Sequence, residues 1–135
     1  MARIVLTDVS VTINSVDLSS HIASVTIETN FDEVETTAFG NTARTRVAGL
    51  QDSSVSLDFH QDFAASEVEA TIYPLLGTTT AVVIKPDSGA VAADNPSYSF
   101  DCLVNQWTPL GGGIGELATA SVTWPISGAI TKATA

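Results

Sequence analysis

Apolar and polar residues alternate with a period of two over most of the chain, the pattern of strands that bury one face and solvate the other. Val9, Val11 and Ile13 are separated by Ser10 and Thr12, and 14–17 reads as a turn. Val25 and Ile27 alternate with Thr26 and Glu28, and Val55, Leu57 and Phe59 alternate with Ser54, Ser56, Asp58 and His60. A strand is predicted over 80–85. Another covers 97–107, with Tyr98, Phe100, Cys102 and Val104 on one face. The last covers 117–124, where Ala118, Ala120, Val122 and Trp124 alternate with Thr119, Ser121 and Thr123. The abundant Val, Ile and Thr are stiff at χ1 and suit a pleated surface better than a helix. Only 63–76 departs from period two. Val68, Ile72 and Leu76 recur every fourth residue and predict a single helix of about three turns. Ser66 with Glu69 matches a capping box, Asp62 is a rival N-cap, and Pro74 and Gly77 end the segment. The small, polar stretch 127–135 is expected to be a loose end. The reading is an all-β fold with one packed helix, a β-sandwich or barrel, forming one domain over 1–135.

Fifteen acidic residues face five basic ones, a formal net charge of −10. Such a chain lacks the basic patch that nucleic-acid binding and docking on an anionic membrane both use. The single cysteine, Cys102, excludes an internal disulfide and falls in a strand pattern where it reads as a small buried hydrophobe. Ile4-Val5-Leu6 is too short for a signal-peptide core, and no apolar run approaches the ~20 residues of a membrane span. Synthesis and assembly are therefore expected in a cytoplasm.

Motifs for chemistry are weak. Asp58, His60 and Asp62 share one face if the strand runs that far, but a metal site needs further ligands, and the other histidine is His21. A solvated polar face is expected there. Gly113 to Ala118 spells G-x-G-x-x-A, but a dinucleotide site needs a helix to open at that point, and 119–124 is strand-like. Asp87, Asp94 and Asn95 do not have the spacing of a calcium loop. No serine lies in G-x-S-x-G, and Cys102 has no base nearby in sequence. No catalytic residue, cofactor or metal site is predicted.

The segment Asn30 to Asp52 is long for a connection. A two-residue turn on Gly40-Asn41 sets Val34 opposite Val47, Thr36 opposite Thr45 and Ala38 opposite Ala43. On the other side Glu35 faces Arg46 and Thr37 faces Arg44. The result is a projecting hairpin. Its tip carries Phe39, Arg44 and Arg46, and its approach carries Asp32, Glu33 and Glu35. Two readings stand: a surface loop with self-paired charges, or an arm that reaches another subunit.

The order of these pieces resembles a known family. Strands over 11–27 lead to Val34-Glu35-Thr36-Thr37-Ala38-Phe39-Gly40. Gly49-Leu50-Gln51-Asp52-Ser53-Ser54-Val55-Ser56-Leu57 follows, then Gln61-Asp62-Phe63-Ala64-Ala65, and later Asn95-Pro96-Ser97-Tyr98. Over nearly the whole chain this resembles the major tail tube proteins of long-tailed, siphovirus-type bacteriophages of actinobacterial hosts. The resemblance implies a virion protein with a β-sandwich or barrel and a flanking helix. It implies hexameric rings stacked around a tape measure protein, contacts with tail terminator and distal tail proteins, and a lumen through which DNA passes. It also implies that the 30–52 hairpin reaches a neighbouring subunit, and that the extra immunoglobulin-like domain of some tail proteins is missing. Six copies at −10 give −60 per ring, and a negative wall keeps DNA from sticking. Glu28, Asp58 and Asp101 are the candidate lumen-facing residues, with Ser54, Ser56, Thr119, Ser121 and Thr123 as neutral company. The alternative is a carbohydrate-binding or adhesive β-sandwich using Trp107, Trp124 and Tyr98.

Overall fold

A computed structural model describes residues 3–135; the first two residues of the expected 1–135 span lie outside the described residues. The strands are β1 (Ser10–Ile13), β2 (Val16–Asp17), β3 (Ile22–Glu35), β4 (Arg46–His60), β5 (Thr79–Lys85), β6 (Ser97–Leu103) and β7 (Thr119–Ala133), with one helix, α1 (Val68–Ile72). All seven strands form a single antiparallel sheet in the order β2-β1-β5-β6-β7-β4-β3. The all-β architecture with one helix is as expected.

The sheet cannot be flat. Its two edge strands, β2 and β3, are consecutive in the chain. The five Cα steps from Asp17 to Ile22 reach at most about 18 Å, whereas six inter-strand spacings span roughly 29 Å. The sheet therefore curls around its apolar face, although no ladder joins the two edges. The gap is bridged by a short 3₁₀ turn, Ser19–His21. There the fully buried Leu18 donates its N–H to the Val11 carbonyl at 3.1 Å, and the Val11 N–H donates to Ser19 Oγ at 2.8 Å. Hydrogen bonds from the Ser19 hydroxyl and N–H hold the Asp17 carboxyl below its ordinary value of 3.8. A lowered folded value means that this tie contributes fully above the ordinary value and is lost as the pH falls through the folded one.

Inside the curl, Val11 and Ile13 of β1 meet Val82 and Ile84 of β5, Phe100 and Cys102 of β6, Ala120, Val122 and Trp124 of β7, and Val55, Leu57 and Phe59 of β4. These are the apolar members of the alternating runs, and all are buried. Cys102 is fully buried, and burial pushes its thiol up to about 12. The thiolate is the reactive form. Labelling with a thiol reagent at pH 8 is therefore expected to follow unfolding of the sheet, and labelling as fast as a free thiol in native buffer would contradict this packing.

Four segments differ from the sequence reading. Of 14–17, read as a turn, only Asn14 and Ser15 turn, at φ +50° and +67°, while Val16 and Asp17 pair with β1 as β2. The helix is one and a half turns, not three. Ser66 has φ +64°, a left-handed backbone that cannot serve as an N-cap, and the Asp62 carboxylate caps a local turn by accepting the Ala64 N–H at 2.9 Å. Residues 62–67 are thus a loop. Val68 and Ile72 are buried, Tyr73–Leu75 continues as a 3₁₀ turn containing Pro74, and Leu76 is partly exposed. The strand predicted over 97–107 stops at Leu103, because beyond it Gln106 turns to β7: its side chain donates to the Thr123 carbonyl, and its own carbonyl accepts the Trp124 indole N–H at 2.9 Å. The stretch 127–135 is not loose. It belongs to β7 up to Ala133, pairing Lys132 with Tyr98 and Thr131 with Ser99, after an irregularity over 128–130, opposite Phe100, re-sets the register. Small polar composition hid a strand whose backbone has a partner.

Candidate functional site

Beyond Asn30–Asp52, β3 and β4 leave the rest of the sheet and continue as a two-stranded arm. Ladder pairs run from Asn30↔Asp52 through Val34↔Val47 to Glu35↔Arg46, with one extra residue on β4 between Ala48 and Gln51. Thr36 donates its N–H to the Thr45 carbonyl at 2.8 Å, so the expected register holds to this level. The tip differs. The ladder ends at Glu35 and Arg46, so Ala38–Ala43 and Thr37–Arg44 are not ladder pairs. Instead, the Asn41 N–H donates to the Ala38 carbonyl at 3.1 Å. Gly40 sits at φ +93°, which makes 38–41 a type II turn with Phe39 and Gly40 at its centre. Phe39 is 108% exposed.

The arm's charges pair on the diagonal rather than directly across. Arg44 bonds Glu35, and Arg46 bonds Glu33, because the long arginine stems lean along the strand. Asp32 lies on the opposite face, beside Val34 and Gly49; a side chain at 49 would meet the Asp32 Cβ at 3.1 Å. Phe31, Val34, Val47 and Leu50 are all exposed apolar residues of the arm.

A second surface is the outer face of the sheet. Glu28 is paired with Ser54, and Ser24 with Asp58, on β3 and β4; Ser56 and Asp58 are paired with Thr123 and Ser121 on β7. Side chains alternate between faces, so Glu28, Ser54, Ser56, Asp58, Thr119, Ser121 and Thr123 all lie on the side opposite the core. Asp101 of β6 is paired with Ser127 of β7 and lies on the same side. The face is polar, with small side chains and exposed carboxylates. The strand segments 24–30, 52–58 and 119–127 bring no Lys or Arg to it.

Near the end of β4, residues distant in sequence converge. His21 Nε2 lies 2.6 Å from Glu67 Oε2 and 3.8 Å from Asp62 Oδ2. Asp62 therefore turns away from Asp58 and His60 to His21, and the alternating trio does not form a common ligand set. The direct His21–Glu67 bond ties the bridging turn to the loop before α1. Glu69 on α1 accepts the Trp107 indole N–H at 2.8 Å and the Gln61 side-chain amide at 3.2 Å. Trp107 packs edge-on against Phe59 at 5.6 Å, and Trp124 is fully buried. Neither tryptophan offers an open stacking platform for a sugar. Asn95 organises the 86–95 loop, its amide donating to the carbonyls of Asp87, Gly89 and Ala90. No helix follows Gly113–Ala118, since β7 begins at Thr119.

Sequence reasoning missed the exposed apolar side chains of the connection before β7. Leu110, Ile114 and Leu117 are 70%, 107% and 60% exposed. The signal was present: Ile114-Gly115 repeats the apolar-glycine pair of Phe39-Gly40. Among the described residues no helix is long and apolar enough to cross a membrane.

The fold is shared with chains of solved virion, tail and baseplate structures. A chain in the virion of a native gene transfer agent particle superimposes with a TM-score of 0.75 at 13% identity, covering 94% of this chain and 96% of that one. A chain in the tail of an empty gene transfer agent particle, of C6 symmetry, gives 0.61 at 18% identity, over 85% and 83%. A chain in the six-fold symmetrised baseplate of the anti-feeding prophage gives 0.63 at 11% identity, over 99% and 98%. No protein-family model and no curated protein sequence matches the chain.

Proposed function

We propose that the chain is a non-enzymatic structural subunit of a phage-type tail tube, acting in the virion after assembly in the host cytoplasm. Six copies form a ring, and rings stack into a hollow tube around a tape measure protein, ending on terminator and distal tail proteins. DNA passes through without sequence-specific contacts. The observation that carries this reading is the outer face of β3, β4 and β7. Glu28 and Asp58 lie on it among serines and threonines, Asp101 extends it on β6, and the lumen-side segments hold no Lys or Arg. A wall of that chemistry repels a polyanion and gives it nothing to bind. Six-fold symmetry in two of the particles that share the fold supports the ring, and the exposed arm supports contact between copies.

The test is association of the purified chain. Negative-stain microscopy at increasing concentration should show rings or tubes with a central channel. Sedimentation as a monomer at every concentration, and also with tail partners present, would overturn the proposal. Replacing Glu28, Asp58 and Asp101 together with lysine should leave assembly intact while making the tubes retain DNA in a salt-dependent manner. Lysine tubes that ignore DNA would place this face elsewhere than the lumen.

A further inference from the structure

The arm tip and the glycine-rich connection before β7 are built alike and point away from each other. In each, a four-residue turn is closed by an N–H to the carbonyl three residues earlier: Asn41 to Ala38 at 3.1 Å, and Glu116 to Gly113 at 3.2 Å. Gly40 and Gly115 take the third position at φ +93° and +83°, a backbone other residues seldom adopt. The second position is apolar and fully exposed in both, at 108% for Phe39 and 107% for Ile114. The second turn is pinned. Glu116 Oε2 accepts the Gly113 N–H at 2.8 Å, and the Thr119 N–H donates to the Gly111 carbonyl at 3.0 Å. Gln61, directly after β4, clamps the whole connection, donating from its side chain to the Pro109 carbonyl at 2.7 Å and from its N–H to the Ala118 carbonyl at 3.0 Å.

The two turns therefore sit at opposite ends of β4, a strand of 15 residues and roughly 45 Å. They cannot meet within one chain, but a head-to-tail pair of copies can join them, and a contact between two different patches builds rings or stacked arrays and not an isolated two-fold dimer. Charge agrees. Residues 36–46 carry Arg44 and Arg46 and no acid, whereas 59–70 and 105–121 carry Asp62, Glu67, Glu69 and Glu116 and no Lys or Arg. The arginines' own ion pairs are solvent-exposed, and such pairs are worth roughly 0–1 kcal/mol, so exchanging partners costs little.

We infer that the glycine-rich turn is the receptor for the arm of a second copy of this chain, with Phe39 packing on Ile114, Leu110 and Leu117 and the arm's arginines facing the acidic end. This rests on the proposed self-assembly and names the surface that receives the arm.

The experiment uses the full-length double variant Phe39→Cys, Ile114→Cys, treated with a short bismaleimide, beside each single variant and the wild type. Both sites are fully exposed, so the fold is undisturbed. A denaturing gel of the double variant should show a ladder of multimers, whereas each single variant stops at dimers. Ile114→Asp should raise the concentration for half-assembly about ten-fold or more. If the wild type assembles, yet the double variant gives no ladder and Ile114→Asp assembles unchanged, the receptor site is wrong and the assembly reading stands. If the wild type itself never associates, both fall.

Discussion

Replacing Trp124 with alanine is expected to destabilise the monomer by about 4 kcal/mol, within the range found when a large buried aromatic is truncated. Trp124 is fully buried and packs at 6.3 Å from Phe59, and its indole N–H satisfies the Gln106 carbonyl. Alanine removes the ring, opens a cavity between β7 and β4, and frees the segment that follows β6. The urea midpoint should fall with little change in slope, since the same surface is exposed on unfolding. Trp107→Ala is the internal comparison. Trp107 is only partly buried and contacts Phe59 by its edge, and its partner Glu69 keeps the Gln61 amide. Its cost should be about 1–2 kcal/mol. A larger loss at 107 than at 124 would mean that the core is centred nearer α1 than described.

Much of the sheet could be read from periodicity alone, because alternation reports burial directly. The face of Val55, Leu57 and Phe59 and that of Ala120, Val122 and Trp124 are the inner faces of β4 and β7. Most of the misreadings have one cause: a deciding interaction lay far away in sequence. β7 continues past Ser127 because β6 offers backbone partners, not because Ala129 or Thr131 announce a strand. The helix starts late because Asp62 and Ser66 choose a turn and Glu67 reaches His21, 46 residues away. For the surfaces, the arm's register followed from local pairing, whereas its ion pairs shifted to the diagonal through side-chain length. The outward position of Glu28, Asp58 and Asp101 could be anticipated strand by strand, but it took the order β6-β7-β4-β3 to place them on one continuous face. The glycine-rich connection read only as turns, although its Ile114-Gly115 repeats the apolar-glycine pair of Phe39-Gly40.

Removing the arm should separate folding from assembly. Phe31 and Gln51 are ladder partners, so replacing 32–50 with Asn-Gly closes β3 and β4 with a two-residue turn suited to the strand twist. What is lost is exposed: Val34, Phe39, Val47 and Leu50 make no core, and the deleted ion pairs, Glu33–Arg46 and Glu35–Arg44, are open to solvent. The core-facing pairs Val25↔Leu57 and Ile27↔Val55 remain. The shortened chain should therefore unfold within about 1 kcal/mol of wild type, as expected for surface changes that leave burial intact, while rings and tubes disappear from micrographs at concentrations where the wild type assembles. The net charge hardly moves: the deleted stretch holds Asp32, Glu33 and Glu35 against Arg44 and Arg46. A defect would then trace to the arm's shape and contacts and not to altered repulsion between copies. Loss of the folded state would show instead that the arm is part of the stability of β3. Normal tubes from the shortened chain would show that the exposed apolar residues of the arm serve some other purpose.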